Sequence, residues 1–142
     1  MAGVDEQPTF GLDTSVVLRL LTGLPEDQAS AALRFVQEAS EAGRTPVVSD
    51  IVVCEAYFAL HAHYRVPKRS AQKALLNLLR SRSVVSEAGG SAARALEAAA
   101  SGTQSPGFVH RLIHEQYRRL GVALVTFEKA SAKLRNAVLL AP

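Results

Sequence analysis

Short apolar runs that close on a polar or acidic residue alternate along this chain with longer stretches of helical spacing, and that alternation is its strongest constraint. "TFGLD" (9–13) has the length and composition of a buried strand ending on an acid, and "SVVLRLL" continues as a helix closed near Gly23 and Pro25. "PEDQASAALRFVQEASEAG" (25–43) places Pro at the first turn, acids just inside, apolar residues at helical spacing and Gly43 past the end. "TPVVSD" (45–50) reads as a second strand, with Ser49 or Asp50 positioned to cap the helix "IVVCEAYFALHAHY". Two strand-to-helix steps in the first half of a chain argue for an α/β fold with a mostly parallel sheet covered on both faces.

The second half continues the pattern. Residues 67–81 and 91–102 have amphipathic helical spacing, and a short strand fits the intervening "SVVSEAGG". A helix over 105–121 precedes the strand "VALVTFE" (122–128), a short helix near "KASAKL" and an edge strand "NAVLL" (136–140). At 142 residues, the length suits one domain, 1–142, with a single core.

Composition narrows the function classes. With 48% hydrophobic and 20% charged residues the chain reads as compact rather than disordered. "MAGVDEQPTF" carries two acids and no apolar run, so it reads as neither secretory signal nor transit peptide; with no membrane span apparent, a cytoplasmic location is expected. The lone Cys54 excludes an internal disulfide and a thiolate zinc framework, and reads as a small core residue. A net charge of +3 suits a polyanionic partner only weakly.

In open α/β sheets ligands bind beyond the carboxyl ends of the strands, which directs attention to three acids. Asp13 closes the first strand, Glu128 closes "ALVTF", and Glu55 lies about one and a half turns into the helix after the second strand. Its neighbours at three and four residues, Ile51, Val52, Phe58 and Ala59, are all apolar, which turns Glu55 toward the packed side. A carboxylate so placed needs a cation or a purpose. Two readings stand. Structurally, Glu55 pairs with Arg19 and Asp13 caps the following helix; functionally, the three acids meet around a divalent cation that offsets their repulsion. Carboxylates without thiolates suit Mg²⁺ or Mn²⁺, which can activate water for phosphodiester hydrolysis.

"GLDTSVVLRLLTG", "VVSDIVVCEAYFAL", "FVHRLI" and "LVTFEKASAKL", in that order and spacing, resemble the PIN-domain family, in particular VapC-type toxins of bacterial toxin–antitoxin pairs. The resemblance covers about Gly11 to Leu140. It implies a three-layer α/β/α sandwich around a central, mostly parallel sheet of four to five strands, and a Mg²⁺- or Mn²⁺-dependent ribonuclease. A homodimer and a small cognate antitoxin are the partners it implies, with RNA as substrate. By resemblance Asp13 is the first catalytic acid and Glu55 the second; Glu128 stands at the fourth acidic position with Thr126 retained before it. The third acidic position is His110, a departure from the pattern, and the less regular acid three residues earlier falls at Gly107.

The helix carrying that departure is itself ambiguous. At about 100° per residue Phe108, Val109, Leu112, Ile113, Tyr117 and Leu120 form one apolar arc, with His110 on its border and Arg111, His114, Glu115 and Arg118 opposite. A zinc site at His110 and His114 lacks a third ligand nearby, and a polar seam without function is the plainer reading. An imidazole brings no negative charge to Mg²⁺, so weakened catalysis is expected. Three functions follow: the ribonuclease, with Asp13, Glu55 and Glu128 holding metal, His110 as ligand or replacement, and Arg19, Arg111 and Lys129 contacting RNA; a degenerate PIN-like module that binds RNA or protein without cleavage; and an unrelated α/β protein with purely structural acids.

Overall fold

The computed structural model describes residues 10–142. Thr9, where the first strand was expected to begin, and the acidic N-terminal segment lie outside the described residues. The chain divides into two compact units, Met1–Gly89 and Gly90–Pro142.

In the first unit the described part of the predicted opening strand makes strand-like bonds to one residue: Gly11 bridges Val47, Leu12 N–H donates to the Val47 carbonyl at 2.9 Å, and Val47 N–H donates to the Phe10 carbonyl at 2.8 Å. Helix α1 (Thr14–Thr22) follows Asp13 directly and ends at Gly23, whose φ of 71° requires the left-handed conformation that glycine adopts freely. Helix α2 (Glu26–Glu41) starts after Pro25 with Glu26 and Asp27 in its first turn, where acids complement the helix dipole. Strand β1 (Val47–Val48) leads into α3 (Asp50–Ala62), capped by Ser49, whose hydroxyl accepts from Val52 N–H at 3.2 Å. Helix α4 (Lys68–Arg80) and strand β2 (Val85–Ser86) complete the unit, with β2 parallel to β1. Helix α1 packs on α2 and α3, and α3 on α4, around Leu12, Val17, Val48, Val53, Leu60 and Leu75.

The second unit begins with α5 (Ala92–Ser101), whose Ala95 and Ala99 are small enough to let α6 (Phe108–Arg119) approach closely. Phe108 and Leu112 fill that interface. Strand β3 (Leu124–Thr126) pairs in parallel with β4 (Ala137–Leu139), and the 3-10 helix Ser131–Lys133 lies between them in sequence.

The α/β class and the parallel sense agree with the sequence. Hydrogen bonding divides the four described strands into two parallel pairs, β1–β2 and β3–β4, where one sheet of four to five strands was expected. Strands of two or three residues leave each sheet small. The apolar arc foreseen on α6 is also only half used: Phe108 and Leu112 are buried, while Ile113, Tyr117 and Leu120 are exposed.

Candidate functional site

Asp13 occupies the N-cap position of α1, yet its carboxylate makes no cap hydrogen bond. The capping role considered from sequence is therefore not the one it plays. It is exposed, and it accepts from the Ser15 hydroxyl at 3.3 Å. Its chain neighbour Thr14 reaches across to α3, where its hydroxyl donates to Glu55 Oε1 at 2.7 Å. One hydroxyl thus ties the residue after the first acid to the second acid, forty-one positions later. The ion pair considered for Glu55 is not formed, because Arg19 Nε donates to Gln28 Oε1 at 2.6 Å instead.

Glu55 also corrects an expectation about packing. It is exposed, as are Ile51, at 74%, and Phe58. The buried stripe of α3 is Asp50, Val53, Ala56, Tyr57 and Leu60, displaced around the helix from the side that Glu55's apolar neighbours suggested. Apolar residues occur all round this helix, so they could not define its inner face. Burial was the premise for expecting a strained carboxylate, and that premise does not hold.

Cys54, beside Glu55, is half-buried rather than a core residue. Burial pushes its thiol pKa up, and the Glu55 carboxylate pushes it further in the same direction. A pocket of about 600 Å³ adjoins Asp13 through Ser15 and is lined by Phe10, Leu12, Val16, Arg19 and Phe35 among others. Its Phe10 and Phe35 rings meet edge to face at 5.1 Å.

Asp50, considered from sequence only as an alternative cap, is instead the first residue of α3, and sequence reasoning did not count it among the site acids. It is only 2% exposed at the start of α3, and its backbone N–H donates to Glu87 Oε1 at 2.6 Å. Glu87 follows β2, and its own N–H donates to the Val48 carbonyl, so strand pairing sets this carboxylate at the positive end of α3. The available signal was an acid just past a strand that pairs with the strand leading into the helix.

In the second unit Glu128 is exposed, just past β3, and its N–H donates to the Thr126 hydroxyl at 2.9 Å. Lys129, the next residue, is exposed too. His110 is exposed on the first turn of α6. His114 is engaged differently: its Nε2 lies 2.7 Å from the Arg135 carbonyl and donates to it, since a carbonyl only accepts. Glu115 pairs with Arg118 Nε at 3.2 Å. Arg111 ties down the loop before α6, donating from Nε to the Pro106 carbonyl and from Nη2 to the Thr103 carbonyl, at 2.9 and 3.1 Å. Among the described residues no group of three or more His, Cys, Asp or Glu side chains is arranged to hold a metal ion.

Two exposed carboxylates with oxygen donors beside them suit a hard divalent cation, because Mg²⁺ is commonly held by one or two carboxylates and completes its shell with water and phosphate. Asp13 at the carboxyl end of the opening extended segment and Glu55 on α3, linked through Thr14, form an arrangement compatible with the hydrolases of phosphate esters. Residues 11–137, most of the chain and parts of both units, match the family model described as the PIN domain. The chain belongs to the PIN-domain family, whose members are generally nucleases that typically use divalent metals. No curated protein and no solved structure matches it. No helix among the described residues is long and apolar enough to cross a membrane.

Proposed function

We propose that the protein is a VapC-like endoribonuclease, the toxin of a toxin–antitoxin pair, acting as one PIN domain in the cytoplasm and hydrolysing RNA phosphodiester bonds with Mg²⁺ or Mn²⁺. The observation that carries the reading is the Thr14–Glu55 hydrogen bond, which ties the chain neighbour of Asp13 to Glu55 while neither acid is spent on a cap or an ion pair. Asp13 and Glu55 would hold the ion; Glu128 is assigned a metal-ligand role on the family resemblance alone. The ion, when bound, supplies a water of lowered pKa and a counter-charge for the phosphate. The chain's own part is to orient: Thr14 fixes the Glu55 carboxylate, and Ser15 does the same for Asp13. His110 stands where the family has an acid and acts as ligand, water-orienting group or passive replacement. Arg19 and Lys129 are assigned to RNA phosphates; Arg111, engaged by two loop carbonyls, is the weakest of the three RNA contacts considered. A small cognate antitoxin and a second copy of the chain are the proposed protein partners.

The substitution at position 110 favours a second reading, a degenerate PIN module that binds RNA or a protein without cutting. Cleavage of a labelled RNA by the natural chain, Asp13→Asn, Glu55→Gln, Glu128→Gln and His110→Asp, each with Mg²⁺ and with Mn²⁺, separates the two. The ribonuclease reading expects metal-dependent cleavage that is lost in the three acid variants and raised by His110→Asp. Absence of cleavage in every variant, with Mn²⁺ failing to bind the natural chain more tightly than Asp13→Asn, overturns it.

A further inference from the structure

Between Glu55 and Glu87 the chain carries no acid at all. Over the same span stand Arg65, Lys68, Arg69, Lys73, Arg80 and Arg82, six of its sixteen Lys and Arg residues. The structure gathers them on and around α4. That helix buries Ala71, Gln72, Leu75 and Leu76, and at about 100° per residue Arg69, Lys73 and Arg80 fall within about 40° of one another, along the edge of that buried stripe beside Leu76. Arg65, Lys68, Lys73 and Arg82 are all exposed. Like charges along one helix repel, and the first turn of α4 holds Lys68 and Arg69 with no acid, against the sense of the helix dipole.

The backbone supplies an independent observation. Arg65 and Arg82 have φ of 55° and 68°, in the left-handed region, and they bracket α4. Arg65 lies two residues past the α3 C-cap His63, where Val66 N–H donates to the Leu60 carbonyl at 2.9 Å, and Arg82 follows the α4 C-cap Ser81. Helix ends of this kind ordinarily use Gly. The other described non-glycine residue with positive φ is Asn136, a type that tolerates it. Two arginines kept in a glycine conformation at both ends of a basic helix point to a demand for charge there.

We infer that α4 and its flanking arginines form a phosphate-contacting surface along which the backbone of a single-stranded RNA lies. The inference rests on the ribonuclease reading for the identity of the polyanion. Within its own residues, α4 exposes no large hydrophobic side chain of the kind that anchors a protein partner, whereas Tyr64, exposed beside Arg65, offers a ring on which a base can stack. Contacts of this kind read no sequence; they strengthen binding of every RNA alike and make it salt-dependent.

The test is titration of a fluorescein-labelled RNA oligonucleotide with full-length chain carrying Asp13→Asn, so that the probe survives, between about 0.05 and 0.5 M salt. Each phosphate contact on a single strand contributes about 0.7 to the slope of log K against log salt. Lys68→Gln with Lys73→Gln should therefore flatten the slope by about 1.4 and weaken binding about 25-fold at 0.1 M salt. Arg65→Gly with Arg82→Gly should weaken binding similarly while raising the thermal midpoint, a pairing of outcomes that a structural role for these arginines does not produce. Unchanged slopes in both double variants overturn the inference, as does polyglutamate competing as well as RNA or no RNA binding at the lowest salt. Failure of the underlying reading looks different. A natural chain that never cleaves RNA, yet binds it with a slope that α4 substitutions reduce, loses the nuclease assignment and keeps this surface; metal-dependent cleavage with a slope insensitive to α4 does the reverse.

Discussion

Thr14→Val removes a single hydroxyl from the candidate site while keeping the β-branched shape that suits the start of α1. What is lost is the 2.7 Å bond to Glu55 Oε1. A hydrogen bond to a charged group contributes about 1.5–3 kcal/mol where water is excluded, and Glu55 is exposed, so about 1 kcal/mol is the appropriate figure here. If the bond orients Glu55 for catalysis, that corresponds to about a fivefold fall in kcat/KM, with a similar weakening of Mn²⁺ binding. Global stability should change by less than about 1 kcal/mol, because the lost partner remains hydrated. The assay is cleavage of a labelled RNA as a function of Mn²⁺, run as a double-mutant cycle with Glu55→Gln and with Thr14→Ser as the conservative control. Thr14→Ser should retain most of the activity, and Thr14→Val should cost little once Glu55 is already neutral. The same fivefold loss in both backgrounds, or a serine variant as impaired as valine, would show that Thr14 acts on helix α1 and not through Glu55.

Two further predictions test separate parts of the structure. Because the Glu55 carboxylate helps hold the Cys54 thiol above its ordinary pKa, Glu55→Gln should shift the pH profile of Cys54 alkylation toward lower pH, and Mn²⁺ should do the same in the natural chain if Glu55 takes the ion; a profile that ignores Mn²⁺ speaks against Glu55 as a ligand. Ser131, 2% exposed, has a hydroxyl without a hydrogen-bond partner, so Ser131→Ala should stabilise the protein by about 1 kcal/mol and raise the melting midpoint by about 3 °C; a fall would mean that the hydroxyl does have a partner in solution.

The alternation of strand and helix was legible because each α1, α2 and α3 boundary carries its own local chemistry: Gly23 at a left-handed end, Glu26 and Asp27 in a first turn, Ser49 as a cap. What escaped is non-local. Whether β1 pairs with β2 or extends a larger sheet depends on partners that no window of residues contains, and strands as short as Val47–Val48 provide too few alternating positions to state a face. Burial of Asp50 likewise depends on where β2 delivers Glu87, thirty-seven residues away.

Glu55 shows how a residue can be singled out on a premise that the fold does not meet. It was singled out for apolar neighbours at three and four residues, yet α3 is apolar nearly all round and its inner stripe runs through Val53, Tyr57 and Leu60. Exposure changes what the residue can do. A buried carboxylate would need a cation to exist at all, so its presence would have argued for a metal; an exposed one is stable in water and argues for nothing by itself. The weight therefore moves from desolvation to geometry. Thr14 directs its one hydroxyl proton to Glu55 rather than to its own helix, and the adjacent Asp13 leaves the N-cap bond unmade, so neither side chain supplies the local cap it could have given α1. A cap would need only a rotation of Asp13, whose carboxylate instead accepts from the Ser15 hydroxyl; if this leaves it available to a cation, as proposed, Asp13→Asn should weaken Mn²⁺ binding, and equal binding by the two chains would refute it.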